Sequence, residues 1–481
     1  MSASSAPSTV TLPRIIQGGM GIGVSNWRLA NAVSACGHLG VVSGTVIDTV
    51  MVRRLQDGDP GGHVRRALAH FPIPAVADEI LHRYFMAEGR APDAPYRLLP
   101  MYRQVVSRAR QRVTVAAAFV ETWLAREGHD GAVGMNLLTK VQLPNLPTLY
   151  GAMLAGVTTV IMGAGIPREI PGALDALAEH RPAILRFDVE GLPRDVIESI
   201  AFDPMDLWPD AALPVAPLQR PAFYPVVSAV SLAATLARKS TGRVDGFVVE
   251  SPTAGGHNAP PRGEMQLDAS GQPIYGERDA VDFSRMRDLG LPFWIAGGSG
   301  TPDGLARAIE LGAQGVQVGT LFAFCEESGL APSVRHAVLD AVCAGRAQVF
   351  TDPLASPTGY PFKLIRGVDD IEGTRERICD LGYLRVAVKG EDGRLVYRCP
   401  AEPVDAYVAK GGDHADCEGR QCLCNGLLAD VGLGQVRGDG DEPPLVTSGD
   451  DLTSVATLAA QGPYQAADVI AWLEGRVPAP R

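Results

Sequence analysis

The sequence lacks an excess of positive charge. Among 481 residues, 54 Asp and Glu outnumber 43 Lys and Arg, and the formal net charge at pH 7 is −11. Nonspecific nucleic-acid binders and proteins of anionic membrane surfaces use basic surfaces. This charge balance argues against both classes, so we predict no nucleic-acid partner and no membrane partner.

The sequence also predicts neither an export signal nor a membrane span. Residues 1–12 have neither a charged start nor the long apolar core of a signal peptide. The uncharged stretch 141–167 contains Asn145, three prolines and four glycines, so we interpret it as a short helix followed by a buried strand. Eight cysteines in so long a chain, without a secretion signal, predict reduced thiols and a cytoplasmic protein.

Glycine, by contrast, is abundant, with 54 of 481 residues, or about 11% against a usual ~7%. Short apolar runs alternate with helical patterns, which is typical of parallel βαβ units with tight turns. Eight such strands can close into a barrel without exposed edges, and a chain of this length accommodates one with insertions. We therefore predict an α/β protein with a (β/α)₈ TIM barrel, its strands at 14–17, 39–43, 132–137, 158–162, near 224–229, 246–250, 293–296 and 315–318.

Two stretches exceed the usual length of a loop between barrel elements. Residues 58–131 predict inserted helices, and residues 182–221 predict a hairpin and a proline-rich loop outside the barrel. After residue 379 the pattern changes to short strands and helices joined by Asp- and Gly-rich links. We therefore expect a barrel domain over 1–378 with these two helical and hairpin insertions, and a small cysteine-containing C-terminal domain over 379–481.

Glycines end the last two predicted barrel strands. Gly297 and Gly298 follow the seventh strand, and Gly319 and Thr320 follow the eighth. Barrels often bind phosphate with these two loops, because free backbone N–H groups at a helix start attract anions. We predict a phosphate site there, with Thr301 capping the helix after the seventh strand, although glycines can also serve a tight turn alone.

The loop after the first strand, residues 17–23, resembles a dinucleotide-binding loop only superficially. The acidic residue that should follow is unconvincing, because Asp48 lies beyond a second strand, and we reject a Rossmann fold. A flat ring lying across the strand ends explains these glycines equally well. Asn136 ends the third strand, where its amide can reach such a ring or serve as a structural cap. Gln317 on the eighth strand can point into the barrel or belong to a packed polar layer.

His257 is the strongest candidate for catalysis. It follows Gly255 and Gly256 at the end of the sixth strand, which is where barrel enzymes place catalytic groups. Histidine is also the side chain whose ordinary pKa lies closest to neutral pH. An imidazole can instead cap a turn. The polar segment 259–283 that follows is either a surface loop or a flap over the site, and we favour the flap.

Four motifs in order resemble the nitronate monooxygenase family, formerly called 2-nitropropane dioxygenase. They are Gln17-Gly-Gly-Met20, Ala254-Gly-Gly-His257, Ala296-Gly-Gly298 and Gly315-Val-Gln-Val-Gly-Thr320. The family is similar to the FMN-dependent enoyl reductases, including the enoyl reductase subunit of polyunsaturated fatty acid synthases. The resemblance spans roughly residues 13–330 and implies a (β/α)₈ barrel flavoprotein with non-covalent FMN.

The resemblance also implies roles for individual residues. Met20 and Gly21 would line the flavin ring, Asn136 would approach the ring or the ribityl chain, and His257 would be the acid or base beside the ring. The remaining cofactor-binding residues that it implies are glycines and one threonine: Gly255, Gly256, Gly297, Gly298, Gly319 and Thr320.

The implied reaction is oxidation of an alkyl nitronate with O₂ to a carbonyl compound and nitrite. One departure stands out, because Ser251-Pro252-Thr253 separates Glu250 from the glycine turn, whereas nitronate-oxidising members usually have Glu-Ala-Gly-Gly-His. The alternatives are an NAD(P)H-dependent enoyl-thioester reductase and a flavoprotein subunit of a biosynthetic complex. The expected partner is a small-molecule substrate, nitronate or enoyl thioester, with self-association or a biosynthetic complex left open.

The C-terminal cysteines suggest a four-thiolate metal site made of Cys399, Cys417, Cys422 and Cys424. The spacing of Cys422 and Cys424 is too tight for a common zinc knuckle, and that between Cys417 and Cys422 is at the long limit. We therefore interpret them as ordinary reduced cysteines and expect no metal.

Overall fold

Eight parallel strands form the centre of the protein in a computed structural model of the chain. The model describes residues 12–193, 195–208, 216–369, 376–390, 392–438 and 440–476. The strands are β1 (Ile15–Gln17), β2 (Gly40–Ser43), β3 (Val133–Leu138), β4 (Thr159–Gly163), β5 (Ala222–Val227), β6 (Phe247–Glu250), β7 (Phe293–Ala296) and β8 (Gly315–Val318). Each overlaps the strand predicted at that place in the sequence.

The sheet closes on itself. Neighbours in the chain are neighbours in the sheet from β2 to β8, and β8 pairs with β1 through Ile15 and Val316. The remaining gap between β1 and β2 is bridged at Ile16 and Leu39, where the backbone N–H of Gln17 donates to the Leu39 carbonyl at 2.9 Å. The (β/α)₈ barrel is therefore confirmed.

The barrel interior is filled by side chains rather than open. Alternate residues of the strands face inward, and the buried inward cluster includes Ile16, Tyr224 and Trp294. The rings of Tyr224 and Trp294 lie 4.7 Å apart, and the Trp294 indole N–H donates to the Pro13 carbonyl at 2.7 Å. The lower part of the barrel is therefore a packed core, and an open space can form only above it.

Helices surround the barrel on its outer face. None in the described part of the chain is both long and apolar enough to cross a membrane. Up to β8 they are Trp27–Ala35, Ile47–Gln56, His63–Leu68, Pro74–Tyr84, Arg108–Arg126, Asn145–Leu154, Ile170–Ala178, Val230–Lys239, Phe283–Arg287 and Gly304–Glu310; after β8 they are Thr320–Ala323, Pro332–Cys343, Val404–Ala409, Leu423–Ala429, Thr453–Ala459 and Ala466–Leu473. Short 3₁₀ helices lie at Pro60–Gly62, Pro204–Leu207, Glu277–Asp279 and His414–Cys417.

Residues 58–131 contain the longest helix, Arg108–Arg126, which packs on Asn145–Leu154. The close approach depends on Gly151, because a Cβ there would lie 2.1 Å from the Val115 carbonyl oxygen. Residues 182–221 contain an antiparallel hairpin, Ala183–Phe187 with Glu198–Phe202, and part of this segment lies outside the described residues. Further short strands are Val189–Glu190, Gln348–Asp352, Phe362–Arg366, Val386–Lys389, Leu395–Arg398, Val436–Arg437 and Gly440–Asp441.

The C-terminal part of the chain packs directly against the barrel. Tyr464 donates its hydroxyl hydrogen bond to the Leu321 carbonyl at 2.9 Å, and the Trp472 indole N–H donates to the Gly300 carbonyl at 3.0 Å. Val469 is fully buried in the same core as the barrel helices. The boundary predicted between residues 378 and 379 stays a prediction, but residues beyond it contribute to the barrel end described next.

Closure of the barrel predicts a specific sensitivity at Gly315. A Cβ at this position would lie 1.8 Å from the Arg14 carbonyl oxygen, so Gly315→Ala should force β1 and β8 apart. We expect a loss of about 1–3 kcal/mol in the free energy of unfolding, measured by denaturant titration. Gly276→Ala is the control, because its Cβ would meet nothing within 4 Å. Equal stability of the two variants would contradict this view of the closure.

Candidate active site

A cavity of about 510 Å³ opens at the carboxyl ends of the barrel strands. That is the size of an ordinary small-molecule or cofactor pocket. Every residue predicted to bind cofactor or act in catalysis lines it: Met20, Gly21, Asn136, Gly255, Gly256, His257, Gly297, Gly298, Gly319 and Thr320. The structure therefore brings all ten together, because the ends of parallel barrel strands share one face.

Three polar side chains form the floor of the cavity. Asn136 lies between Met135 and Leu137, which pack in the core between the strands and the surrounding helices, so Asn136 faces the barrel interior. Gln317 on β8 faces inward for the same reason, and Glu250 lies two residues after the inward Val248. The sequence analysis left Gln317 open and assigned no role to Glu250.

Gln17 and Ser25 fix the loop after β1 through side-chain hydrogen bonds. The Gln17 amide nitrogen donates to Ser25 Oγ at 2.8 Å, and its oxygen accepts from the Val41 N–H at 2.9 Å. Ser25 Oγ in turn accepts from the Met20 N–H at 2.9 Å. Gly19 is required here, because a Cβ would lie 2.2 Å from that of Asn136. These bonds fix the backbone beside the cavity floor.

The turns after β7 and β8 depend on glycine and on a contact with the C-terminal part of the chain. Gly297 and Gly298 have φ of +86° and +66°, a region that side chains other than glycine disfavour. Thr320 Oγ1 accepts from the Gly449 N–H at 2.8 Å, so the C-terminal part of the chain reaches this end of the cavity. Sequence reasoning missed Gly449, since nothing local marks it.

The helix after β7 begins later than predicted. It starts at Gly304, with Asp303 at the N-cap position, so the prediction of Thr301 as the cap was wrong. The Gly304 N–H instead closes a turn onto the Thr301 carbonyl at 3.0 Å. A phosphate at Gly297 and Gly298 would therefore contact glycine N–H groups rather than that helix N-terminus.

His257 is positioned by residues far away in the sequence. Its Nε2 lies 2.7 Å from Ser356 Oγ, and its ring meets Phe362 edge-on at 4.7 Å. The preceding Gly256 donates to Thr447 Oγ1 at 2.9 Å and accepts from the Lys363 N–H at 3.0 Å. His257 Nδ1 makes no hydrogen bond to the described residues, which leaves it for a ligand.

The cavity is poor in positive charge. Neither Lys nor Arg occurs among its described lining residues. Burial lowers the pKa of His257 to about 4 and raises the pKa of Glu250 to about 8. At neutral pH the imidazole is therefore uncharged and can accept a proton, while the carboxyl is protonated and can donate a hydrogen bond.

Two buried acceptors in the cavity wall lack partners. Gln317 Oε1 and Asn258 Oδ1 have no hydrogen-bond partner among the described residues. A ligand with N–H and O–H groups, such as the ring N–H and ribityl hydroxyls of FMN, would satisfy them. The glycine walls leave space for a flat ring, since Gly18 and Gly19 carry no side chain. The residues present therefore fit a flavin mononucleotide.

The four cysteines considered for a thiolate site do not line one common cavity. Cys379, Cys399, Cys422 and Cys424 line a second, very small cavity, and Cys417 is absent from its described lining. Burial raises the pKa of Cys379 to about 12, which makes it a poor thiolate ligand. Among the described residues, no group of three or more His, Cys, Asp or Glu could hold a metal ion. The expectation of no metal stays a prediction.

The structure is a (β/α)₈ barrel with a cavity of small-molecule size at its strand ends. Residues 214–354 match the family model described as nitronate monooxygenase. This segment includes the three glycine motifs after β6, β7 and β8. The resemblance to the nitronate monooxygenase family is thus confirmed.

Individual relatives are distant. A nitronate monooxygenase from Paraburkholderia phytofirmans is 30% identical over 181 residues, which is 38% of this chain and 42% of that protein. The chain spans less than half the length of the curated relatives it matches.

Two solved structures are also similar. A nitroalkane oxidase from Streptomyces ansochromogenes is 14% identical, with a TM-score of 0.46 and 98% of each chain covered. FabK from Thermotoga maritima is 18% identical, with a TM-score of 0.38 and 74% and 71% of the two chains covered.

Proposed function

We propose that the chain binds FMN non-covalently in the cavity and is an FMN-dependent oxidoreductase of the nitronate monooxygenase type. The observation that carries the proposal is the single cavity lined by all four family motifs, with the unpaired acceptor of Gln317 in its wall. When bound, FMN supplies the redox centre that takes electrons from the substrate and passes them to O₂. The protein supplies position and proton transfer.

The phosphate of the cofactor belongs at the turns after β7 and β8. Gly297, Gly298 and Gly319 present backbone without side chains there, and Thr320 adds a hydroxyl. Asp451 also lines this end, but its carboxylate accepts hydrogen bonds from the N–H groups of Thr453 and Ser454. We propose that the phosphate is bound by the glycine N–H groups of these two turns and by the Thr320 hydroxyl, because the described lining holds no Lys or Arg.

We propose nitroalkanes and their nitronates as substrates, oxidised with O₂ to a carbonyl compound and nitrite. His257 acts as the base that removes the carbon-bound proton of a neutral nitroalkane. At neutral pH the imidazole is in its uncharged form, which is the form that can take a proton and which offers no positive charge to attract an anion. The Ser356 hydroxyl at 2.7 Å fixes the ring orientation while this proton moves.

A cytoplasmic location stays a prediction, and the sequence leaves both self-association and a biosynthetic complex open.

FMN binding is tested by Gly298→Val. The purified protein should be yellow and release FMN on denaturation, and the variant should hold several-fold less, because the new side chain fills the space beside the phosphate. Flavin per chain is measured by absorbance of the denatured supernatant. Gly290→Val is the matched control: it carries the same left-handed strain, with φ of +71°, but lies exposed with open space around it. Recovery of FAD alone, or equal flavin in both variants, would contradict the assignment.

The base role is tested by His257→Asn on two substrates. Turnover of a neutral nitroalkane should fall by ~10²–10⁴-fold, because the proton acceptor is gone. Turnover of the pre-formed nitronate should fall much less, since its proton has already left, and flavin should stay bound. Steady-state kinetics on both substrates and flavin content are measured together. Small, equal losses on both substrates would show that His257 is not the base, and loss of flavin would assign it a structural role.

A further inference from the structure

Glu250 is a carboxyl without a partner on the cavity floor. It is the last residue of β6, pairs in register with Ala296 of β7, and lines the cavity. Val248, two positions earlier, is fully buried inside the barrel, so the Glu250 side chain faces the same interior. Glu250 is half-buried, and its carboxyl makes no hydrogen bond or ion pair with any described residue, which disfavours its charged form.

The surroundings of Glu250 keep the carboxyl neutral. The other titratable groups lining the cavity are His257, Tyr360, Asp430 and Asp451, and Tyr275 is close enough to feel its charge. None of these is a cation at neutral pH, because burial lowers the pKa of His257 to about 4. Burial also raises the pKa of Glu250 to about 8.

The cavity therefore holds two proton-transfer groups in reversed states. The histidine is an acceptor and the carboxyl a donor at the same pH. Two titratable groups whose environments push their pKa values apart are the usual arrangement of a base and an acid in one site. A nitroalkane that loses its carbon-bound proton develops negative charge on the nitro oxygens, and no Lys or Arg among the described lining residues meets that charge.

We propose that Glu250, as an uncharged carboxylic acid, donates a hydrogen bond to the nitro group while His257 takes the proton from the adjacent carbon. This inference rests on the proposed nitroalkane substrate. The C–H bond breaks, its electron pair becomes the C=N bond of the nitronate, and the N=O pair moves to oxygen. The proton ends on the imidazole, and the Glu250 O–H bond stays intact. A preorganised donor aimed at developing charge is worth most where water is excluded.

The protonation of Glu250 is tested in the cofactor-free protein. A carboxyl whose pKa is raised on folding adds stability below its ordinary pKa and loses it as pH rises toward the raised value. From pH 5 to 8, the unfolding equilibrium constant of the wild type relative to Glu250→Gln should therefore rise, by up to tenfold per pH unit. Glu310→Gln, which removes an exposed carboxyl, is the matched control. A flat ratio for Glu250→Gln would overturn the inference.

Its role is tested by kinetics on the flavin-loaded enzyme. Wild-type turnover of a neutral nitroalkane should fall above about pH 8, where Glu250 loses its proton. Glu250→Gln keeps a hydrogen-bond donor, so it should retain most of this turnover and should not show that fall. Glu250→Leu has no donor and should lose ~10²-fold or more. Flavin content must match the wild type in both. Loss of flavin in both would assign Glu250 to the cofactor instead, and full activity of Glu250→Leu would overturn the donor role.

Failure of the proposed function gives a different pattern. A wild type that holds FMN but turns over neither nitroalkane nor nitronate contradicts the proposed substrate, and the donor role of Glu250 falls with it. A wild type that turns over nitroalkane beside an equally active Glu250→Leu contradicts only the inference about Glu250.

Discussion

The candidate site depends on two backbone hydrogen bonds between the His257 turn and residues 361–363 from beyond the barrel. The Lys363 N–H donates to the Gly256 carbonyl at 3.0 Å, and the Asn258 N–H donates to the Pro361 carbonyl at 2.9 Å. These two hydrogen bonds lie on either side of His257 and bring Phe362 against its ring. Position 256 suits glycine, because its φ is +79°. The two backbone hydrogen bonds and the contact of Nε2 with Ser356 together place the histidine at the cavity.

The second constraint is the absence of cations from the described cavity lining. An imidazole and a carboxyl in one apolar site would normally share a proton or pair with a neighbouring charge. Here burial acts on both without compensation, which leaves the imidazole neutral and the carboxyl protonated. In the proposed FMN complex, the same scarcity of charge would leave phosphate recognition to backbone N–H groups. The proposed chemistry thus depends on the absence of Lys and Arg from the described lining as much as on His257 and Glu250.

Much of this architecture could be predicted from the sequence, for local reasons. Short apolar runs mark the barrel strands, and several of them end in glycine. Strand ends of one barrel meet on one face, which is why Asn136, His257 and Gly298 share a cavity. Ser356 and Thr447 could not be found this way, since they lie 99 and 191 residues from their partners and only packing brings them there. The error at Thr301 has a local cause, because a threonine before a proline also suits the turn that the chain makes.

The central claim is that the bound flavin takes electrons from a nitronate. Anaerobic mixing of the purified holoprotein with an alkyl nitronate, followed by flavin absorbance, tests it most directly. The account predicts rapid bleaching of the oxidised flavin by nitronate, recovery of colour when O₂ is admitted, and no comparable bleaching by NADH or NADPH. Bleaching by a nicotinamide nucleotide and not by nitronate would contradict the account and favour an enoyl-thioester reductase.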